Sequence, residues 1–192
     1  MSNNAEVFGS YLTRVAEALK LTETDELRGI ARKIIEAKKS GARIFTAGNG
    51  GSASTASHFV NDLIKGCRVG DNAGFAAQCL CDSVPVLTCL ANDFDYGEVF
   101  KIQLETLAKE GDLLFLFSGS GNSPNIIRAA EYAAENKIFV AGFGGRDGGA
   151  LKNLCDGFVL APSQCMEEIE DLHLCYCHCI INFIRGELEQ NE

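Results

Sequence analysis

The chain is short of basic charge. Its 192 residues carry 26 acidic and 17 basic side chains, a formal net charge of −9. A general nucleic-acid binder needs a basic face that displaces counterions, so that class is set aside. Long apolar runs are missing too, since none approaches the ~18 to 20 residues that cross a bilayer. The opening Met1-Ser2-Asn3-Asn4-Ala5-Glu6 lacks the charged and apolar regions of a secretion signal. A cytoplasmic location with reduced thiols is therefore expected. There is no long polar tract, repeat or linker, and hydrophobic residues at 46% suffice for one substantial core. Histidine is scarce: His58, His173 and His178 are the only three.

Cysteine, by contrast, is plentiful at nine residues. An odd number without a secretion signal argues against a disulfide framework. His173, Cys175, Cys177, His178 and Cys179 look like a metal cluster on paper. On a helix, however, residues two apart point about 200° away from each other, so these thiols cannot converge. The other six cysteines contain no Cys-x-x-Cys pair of the kind zinc modules use. Packing is the expected role of these thiols and of Cys79, Cys81 and Cys89, with Cys67 and Cys155 partly exposed.

Hydrophobic spacing divides the chain into two parts. Residues 1–40 read as an N-terminal helical segment of the same unit. Val7, Phe8, Tyr11, Leu12, Val15, Ala18 and Leu19 recur every three or four residues. A second helix is capped by Thr24, carries Leu27, Ile30, Ile34 and Ile35 on its apolar face, and stops at Ser40-Gly41. Residues 41–192 alternate short apolar runs with helical stretches. The runs lie at 43–47, 75–78, 113–117, 138–141 and 158–160, and a long last helix spans 166–188. Continuous apolar strands separated by helices predict an α/β fold with a parallel five-stranded sheet flanked by helices. Ligands then bind beyond the carboxyl ends of the strands.

Two segments in that position stand out. Gly48-Asn49-Gly50-Gly51-Ser52-Ala53-Ser54 follows the first strand and opens a helix, whose free N–H groups and dipole favour an anion. Ser118-Gly119-Ser120-Gly121-Asn122-Ser123-Pro124-Asn125 follows the third strand, with Pro124 suited to the first helical position. Together they read as a phosphate cradle without a lysine. On the helix after the first loop, His58 and Asp62 are four residues apart and share a face. Glu170 and His178 are roughly 80° apart around the last helix and two turns along, so they can flank one cleft.

The two loops resemble the sugar isomerase (SIS) fold family, in particular its phosphoheptose isomerase branch. Ala91-Asn92-Asp93-Phe94, Asp147-Gly148-Gly149, Glu170-Asp171-Leu172-His173 and His178 extend the resemblance over nearly the whole chain. It implies a flavodoxin-like SIS fold and a homotetramer with active sites at subunit interfaces. It also implies conversion of sedoheptulose 7-phosphate to D-glycero-D-manno-heptose 7-phosphate through an enediolate, supplying heptose precursors for a glycan.

Residue by residue, the resemblance makes His58, Asp62, Glu170 and His178 the ligands of a divalent metal, zinc by its donor set. Asp62 and His178 become the acid/base pair. Ser52, Ser118, Ser120 and Ser123 hold the phosphate, with the backbone of Gly50, Gly51 and Gly119. Asn49 and Asp93 orient sugar hydroxyls, and Glu170 borders the substrate. His173 matches a family histidine too, with a structural or surface role, rather than contact with the ligand, the leading expectation.

Two departures mark the chain. Asp62 stands where the family has a catalytic glutamate, and Glu170 where it has a glutamine. The Arg that commonly follows that glutamate has no counterpart, although Lys65 and Arg68 lie nearby. The alternatives are a non-catalytic SIS protein that binds sugar phosphates or a replication initiator, and an isomerase for another phosphosugar such as a hexulose phosphate.

Overall fold

The computed structural model describes residues 4–71 and 73–190. The chain begins with α1 (Asn4–Lys20), α2 (Thr24–Ser40), β1 (Ile44–Gly48) and α3 (Gly51–Asn61), which runs on into a π-helical turn (Asp62–Gly66). Next come β2 (Ala77–Cys79), α4 (Val84–Asp93), a 3-10 turn (Tyr96–Glu98) and α5 (Lys101–Leu107). The second half holds β3 (Leu113–Ser118), α6 (Pro124–Glu135), β4 (Phe139–Gly145), a 3-10 turn (Ala150–Leu154), β5 (Gly157–Ala161) and α7 (Met166–Glu189).

The strands form one parallel sheet in the order β2-β1-β3-β4-β5. This is the five-stranded parallel sheet expected from the apolar runs. From β1 the chain goes outward to β2, then crosses back to β3 on the other side of β1. The order thus reverses between β1 and β3, which opens a crevice at their carboxyl ends.

Alternation along β3 explains the two layers. Leu113, Phe115 and Phe117 point into one core with Phe59 of α3, Phe143 of β4, and Ile169 and Leu172 of α7. Leu114 and Leu116 point into the other with Phe45, Val140, and Ile126 and Ala129 of α6. All six β3 residues are buried, as a central strand covered on both faces requires. Each fully buried Phe or Leu contributes about 1.5 to 3 kcal/mol.

The helical N-terminus departs from expectation in two respects. Glu23 is the N-cap of α2 and makes no side-chain cap bond, while Thr24 is already helical. The favourable charges Asp25 and Glu26 in the first turn take over part of the capping role. The apolar face of α1 is also largely open. Ala18 alone among its spaced apolar residues is buried, whereas Val7, Phe8 and Leu12 are well exposed. Polar contacts fix the helix instead: the Tyr11 hydroxyl donates to Asp171 at 2.6 Å, and Arg14 pairs with Glu168 at 2.6 Å.

Candidate active site

The β1–α3 and β3–α6 loops meet across the β1/β3 crevice. Asn49, Gly50, Gly51, Ser52, Ser118, Gly119, Ser120 and Ser123 line one cavity of about 270 Å3, together with Phe117, Met166 and Glu170. The Ser118 Oγ accepts from the Gly121 N–H at 3.1 Å, and the Ser120 Oγ from the Asn122 N–H at 3.3 Å. Each hydroxyl therefore keeps its proton to donate to a ligand. Glu170 reaches this cavity from α7, and a Cβ on Gly51 would overlap its carboxyl group. A side chain at position 51 would push the carboxylate away. A carboxylate thus sits against the positive end of α3.

Further along the same two helices, three ionisable side chains converge. The Nε2 atoms of His58 and His178 are 3.0 Å apart. Asp62 Oδ2 is 3.2 Å from the former and 3.7 Å from the latter. Asp62 opens the π-helical turn, an irregularity common at functional sites, and Asn61 donates to its other oxygen at 3.1 Å. These three side chains each offer one ligand atom, all within 4.8 Å of one another. The donor set, two imidazoles and a carboxylate, suits zinc. Tetrahedral bonds of about 2.0 to 2.1 Å would separate the ligand atoms by roughly 3.3 Å, close to the spacings found.

Glu170, expected as a fourth ligand, is not among the three residues whose ligand atoms converge here. The reason lies in the helices. The start of α3 (Gly51) meets Glu170 and its end (His58) meets His178, so α3 and α7 run parallel. Eight residues separate Glu170 from His178, about 12 Å of helix, and Glu170 lies against Gly51 and the cavity rather than the trio. Asp93 ends α4, is exposed, and is not among the residues lining the cradle. Asn92 and then Cys89 donate to its carboxylate and hold it below the usual range.

His173 is fully buried, its Nε2 donating to the Gly144 carbonyl at 3.1 Å amid Phe117, Phe143 and Tyr176. Burial lowers its pKa to about 4, so the ring is neutral. All nine thiols are free. Cys67 and Cys177 are buried, but Cys89 and Cys179 are exposed rather than packed, because they fall on the outer faces of α4 and α7.

Two residues next to the cradle have no role assigned from sequence: Asn125, named only as the end of the second loop, and Tyr96. Both bond to Asn49. The only signal for the first is its place directly after Ser123-Pro124, and for the second there is none.

Residues 7–145 match the SIS domain family, and the chain belongs to it. The relatives narrow this further. The phosphoheptose isomerase of Helicobacter hepaticus is 37% identical over 170 residues, 88% of this chain and 86% of its own. That of Aliarcobacter butzleri is 35% identical over 184 residues, 95% of this chain and 97% of its own. Among solved structures, the phosphoheptose isomerase of Neisseria gonorrhoeae superposes with a TM-score of 0.89 at 26% identity, covering 96% of this chain and all of that one. The Francisella tularensis phosphoheptose isomerase gives 0.90 at 25% identity, covering 96% of this chain and 99% of that one.

Proposed function

We propose that this protein is an aldose–ketose isomerase that interconverts sedoheptulose 7-phosphate and D-glycero-D-manno-heptose 7-phosphate. One observation carries the reading beyond the relatives' names. The cradle and the trio lie at opposite ends of α3, and Gly51 and His58 are about 10 Å apart along its axis. An extended sugar phosphate of six or seven carbons has a length of roughly 10 Å. A phosphate in the cradle thus leaves the far carbons beside His58, Asp62 and His178. The relatives select seven carbons.

The serine hydroxyls, the free N–H groups at the start of α3 and the Gly119 backbone bind the phosphate. Recognition is local, which reconciles an anionic substrate with a net charge of −9. Remote binding energy then positions the reacting end. Asp62 takes the proton from C1 of the ketose, giving a 1,2-enediolate, and returns it to C2. His178 passes the proton between the oxygens, from O1 to O2, so the product differs only in where the carbonyl lies. His58, Asp62 and His178 would hold a divalent cation such as zinc, which when bound polarises the carbonyl and hydroxyl oxygens.

The protein acts as a homotetramer in this reading, with active sites at subunit contacts. Supporting it, the exposed large apolar residues concentrate on α1 (Val7, Phe8, Leu12) and α4 (Val84, Val86). His58 and His178 are about half exposed in the single chain and available to be covered. Sedimentation should report four times the chain mass, and a monomer overturns this part. No helix among the described residues is long and apolar enough to cross a membrane.

The isomerase test is solvent exchange. Protein supplied with zinc and incubated with sedoheptulose 7-phosphate in deuterated water should lose C1 and C2 proton signals by NMR. Absence of exchange with and without zinc sinks the reading, and binding without exchange points to a sugar-phosphate receptor.

A further inference from the structure

Asn49 is held on three sides. Its Oδ1 accepts from the Tyr96 hydroxyl at 2.8 Å and from the Asn125 Nδ2 at 2.9 Å. Its own Nδ2 donates to Asn125 Oδ1 at 2.9 Å. The two amides thus form a closed pair across the crevice between β1 and β3, the point where strand order reverses. An amide oxygen has two lone pairs and its nitrogen two protons. Both lone pairs of Asn49 and one proton are spent, which leaves one N–H.

The supports are built to stay in place. Asn125 is 1% exposed at the start of α6. Tyr96 is exposed and held by its turn rather than by burial. Asp95, just before it, accepts from the Gly97 N–H at 2.7 Å and from Arg128 at 3.1 Å, and Glu98 pairs with the same guanidinium at 2.8 Å. Arg128 lies three residues after Asn125, on the same face of α6. One helix therefore supplies both the amide that grips Asn49 and the guanidinium that seats Tyr96. Gly97 lets the guanidinium lie close over the turn: a Cβ there would lie 2.5 Å from the Arg128 Nη1 and displace it.

We infer that Asn125 and Tyr96, the latter seated by Arg128, are positioning residues that lock the Asn49 amide as a one-proton donor to an oxygen of the sugar phosphate. The inference rests on the isomerase reading and sharpens it. Asn49 meets the ligand only as a donor, so it selects a carbonyl or hydroxyl oxygen and cannot accept from a hydroxyl. Without the clamp the amide rotates freely, and part of its bond to the substrate is lost.

The test is a double-mutant cycle on the full-length protein, read by kcat/KM for sedoheptulose 7-phosphate and by calorimetric affinity for the same compound. Tyr96→Phe should lower both about tenfold, the size of one hydrogen bond to an oriented group. Its melting temperature should stay that of the wild type, because the ring is exposed and retained. Arg128→Ala should reproduce the defect through the displaced turn. Asn49→Ala with Tyr96→Phe should be no worse than Asn49→Ala alone, because Tyr96 acts through Asn49.

Wild-type function of Tyr96→Phe, or losses that multiply in the double variant, overturns the inference. The affinity arm reads the clamp even without turnover. Wild-type protein that binds the sugar phosphate but exchanges no protons removes the isomerase reading and leaves the clamp to be judged by affinity. Wild-type turnover with an indifferent Tyr96→Phe removes the clamp and leaves the isomerase. Protein that does neither removes both.

Discussion

At the starts of α3 and α7 the cavity is walled by serines, glycines and one carboxylate, whereas further along the same helices two imidazoles and a carboxylate meet. Ser52 and Ser118 of the first region are each 5% exposed. His58 and His178 of the second are 44% and 48% exposed in their side chains. The first, walled largely by backbone and hydroxyls of one chain, is the seat proposed for the phosphate. The second brings reactive groups to an open surface that neighbouring subunits close in the proposed assembly. In the proposed reaction one pair of parallel helices separates binding from proton transfer, and changes at either end should have different kinetic signatures.

The largest difference should come from the trio. Asp62→Asn keeps the shape of the side chain but removes the base, so isomerisation should fall by about 10³-fold, within the range for general acid–base groups. Affinity for the sugar phosphate should change little, since the cradle is untouched. Calorimetry beside a turnover assay separates the two quantities. Turnover near wild type would take Asp62 out of the mechanism and dissolve the contrast between the ends.

Most of this layout is written in the amino-acid pattern. The apolar runs give the sheet because buried parallel strands leave little room for polar residues. The cradle is legible because glycine and serine follow two strands directly. His58 and Asp62 share a face by spacing alone, and they do meet at 3.2 Å.

What fails is whatever depends on how one helix lies against another. Spacing on α7 allows Glu170 and His178 to flank a cleft. Only the parallel packing of α3 shows that they face different ends of it. The open face of α1 is hidden for the same reason, because a periodic apolar stripe looks identical whether its cover is the same chain or another. The grip of Asn125 and Tyr96 on Asn49 joins residues 76 and 47 positions apart, a distance over which sequence pattern carries no signal.

A second prediction concerns His173, which lies on α7 between the two regions and ties it to β4 through Gly144. Its pKa is about 4 when folded, against 6.5 ordinarily, because burial disfavours the charged ring. Above pH 6.5 both folded and unfolded chains hold it neutral and stability is full. Between pH 6.5 and 4 the unfolded chain takes up the proton first, so stability falls with acid, by on the order of 3 kcal/mol. Urea midpoints across this range should show the loss, and His173→Phe should remove that share of it. An identical pH slope in the variant would mean that other groups carry the acid sensitivity. The loss should fall on folding as a whole, unlike Asp62→Asn, because the histidine anchors the helix that both ends share.

The smallest effect should come from Glu170, and its sign is the informative part. Its carboxylate rests against Gly51 in the cavity proposed for the phosphate. Two anions there repel, and both draw on the same helix start. Glu170→Gln keeps the size of the group and removes its charge. Affinity for the sugar phosphate should therefore rise, by about fivefold at low salt, and the gain should shrink as salt screens the repulsion. Titration calorimetry at two ionic strengths measures both. If binding instead weakens, the carboxylate is a partner of the ligand, accepting from a sugar hydroxyl, and the first region is no longer purely an anion seat. A glutamate at this position then tunes how tightly the substrate's phosphate is held against how readily it leaves. The cost falls on binding at one end, while the trio at the other keeps its chemistry.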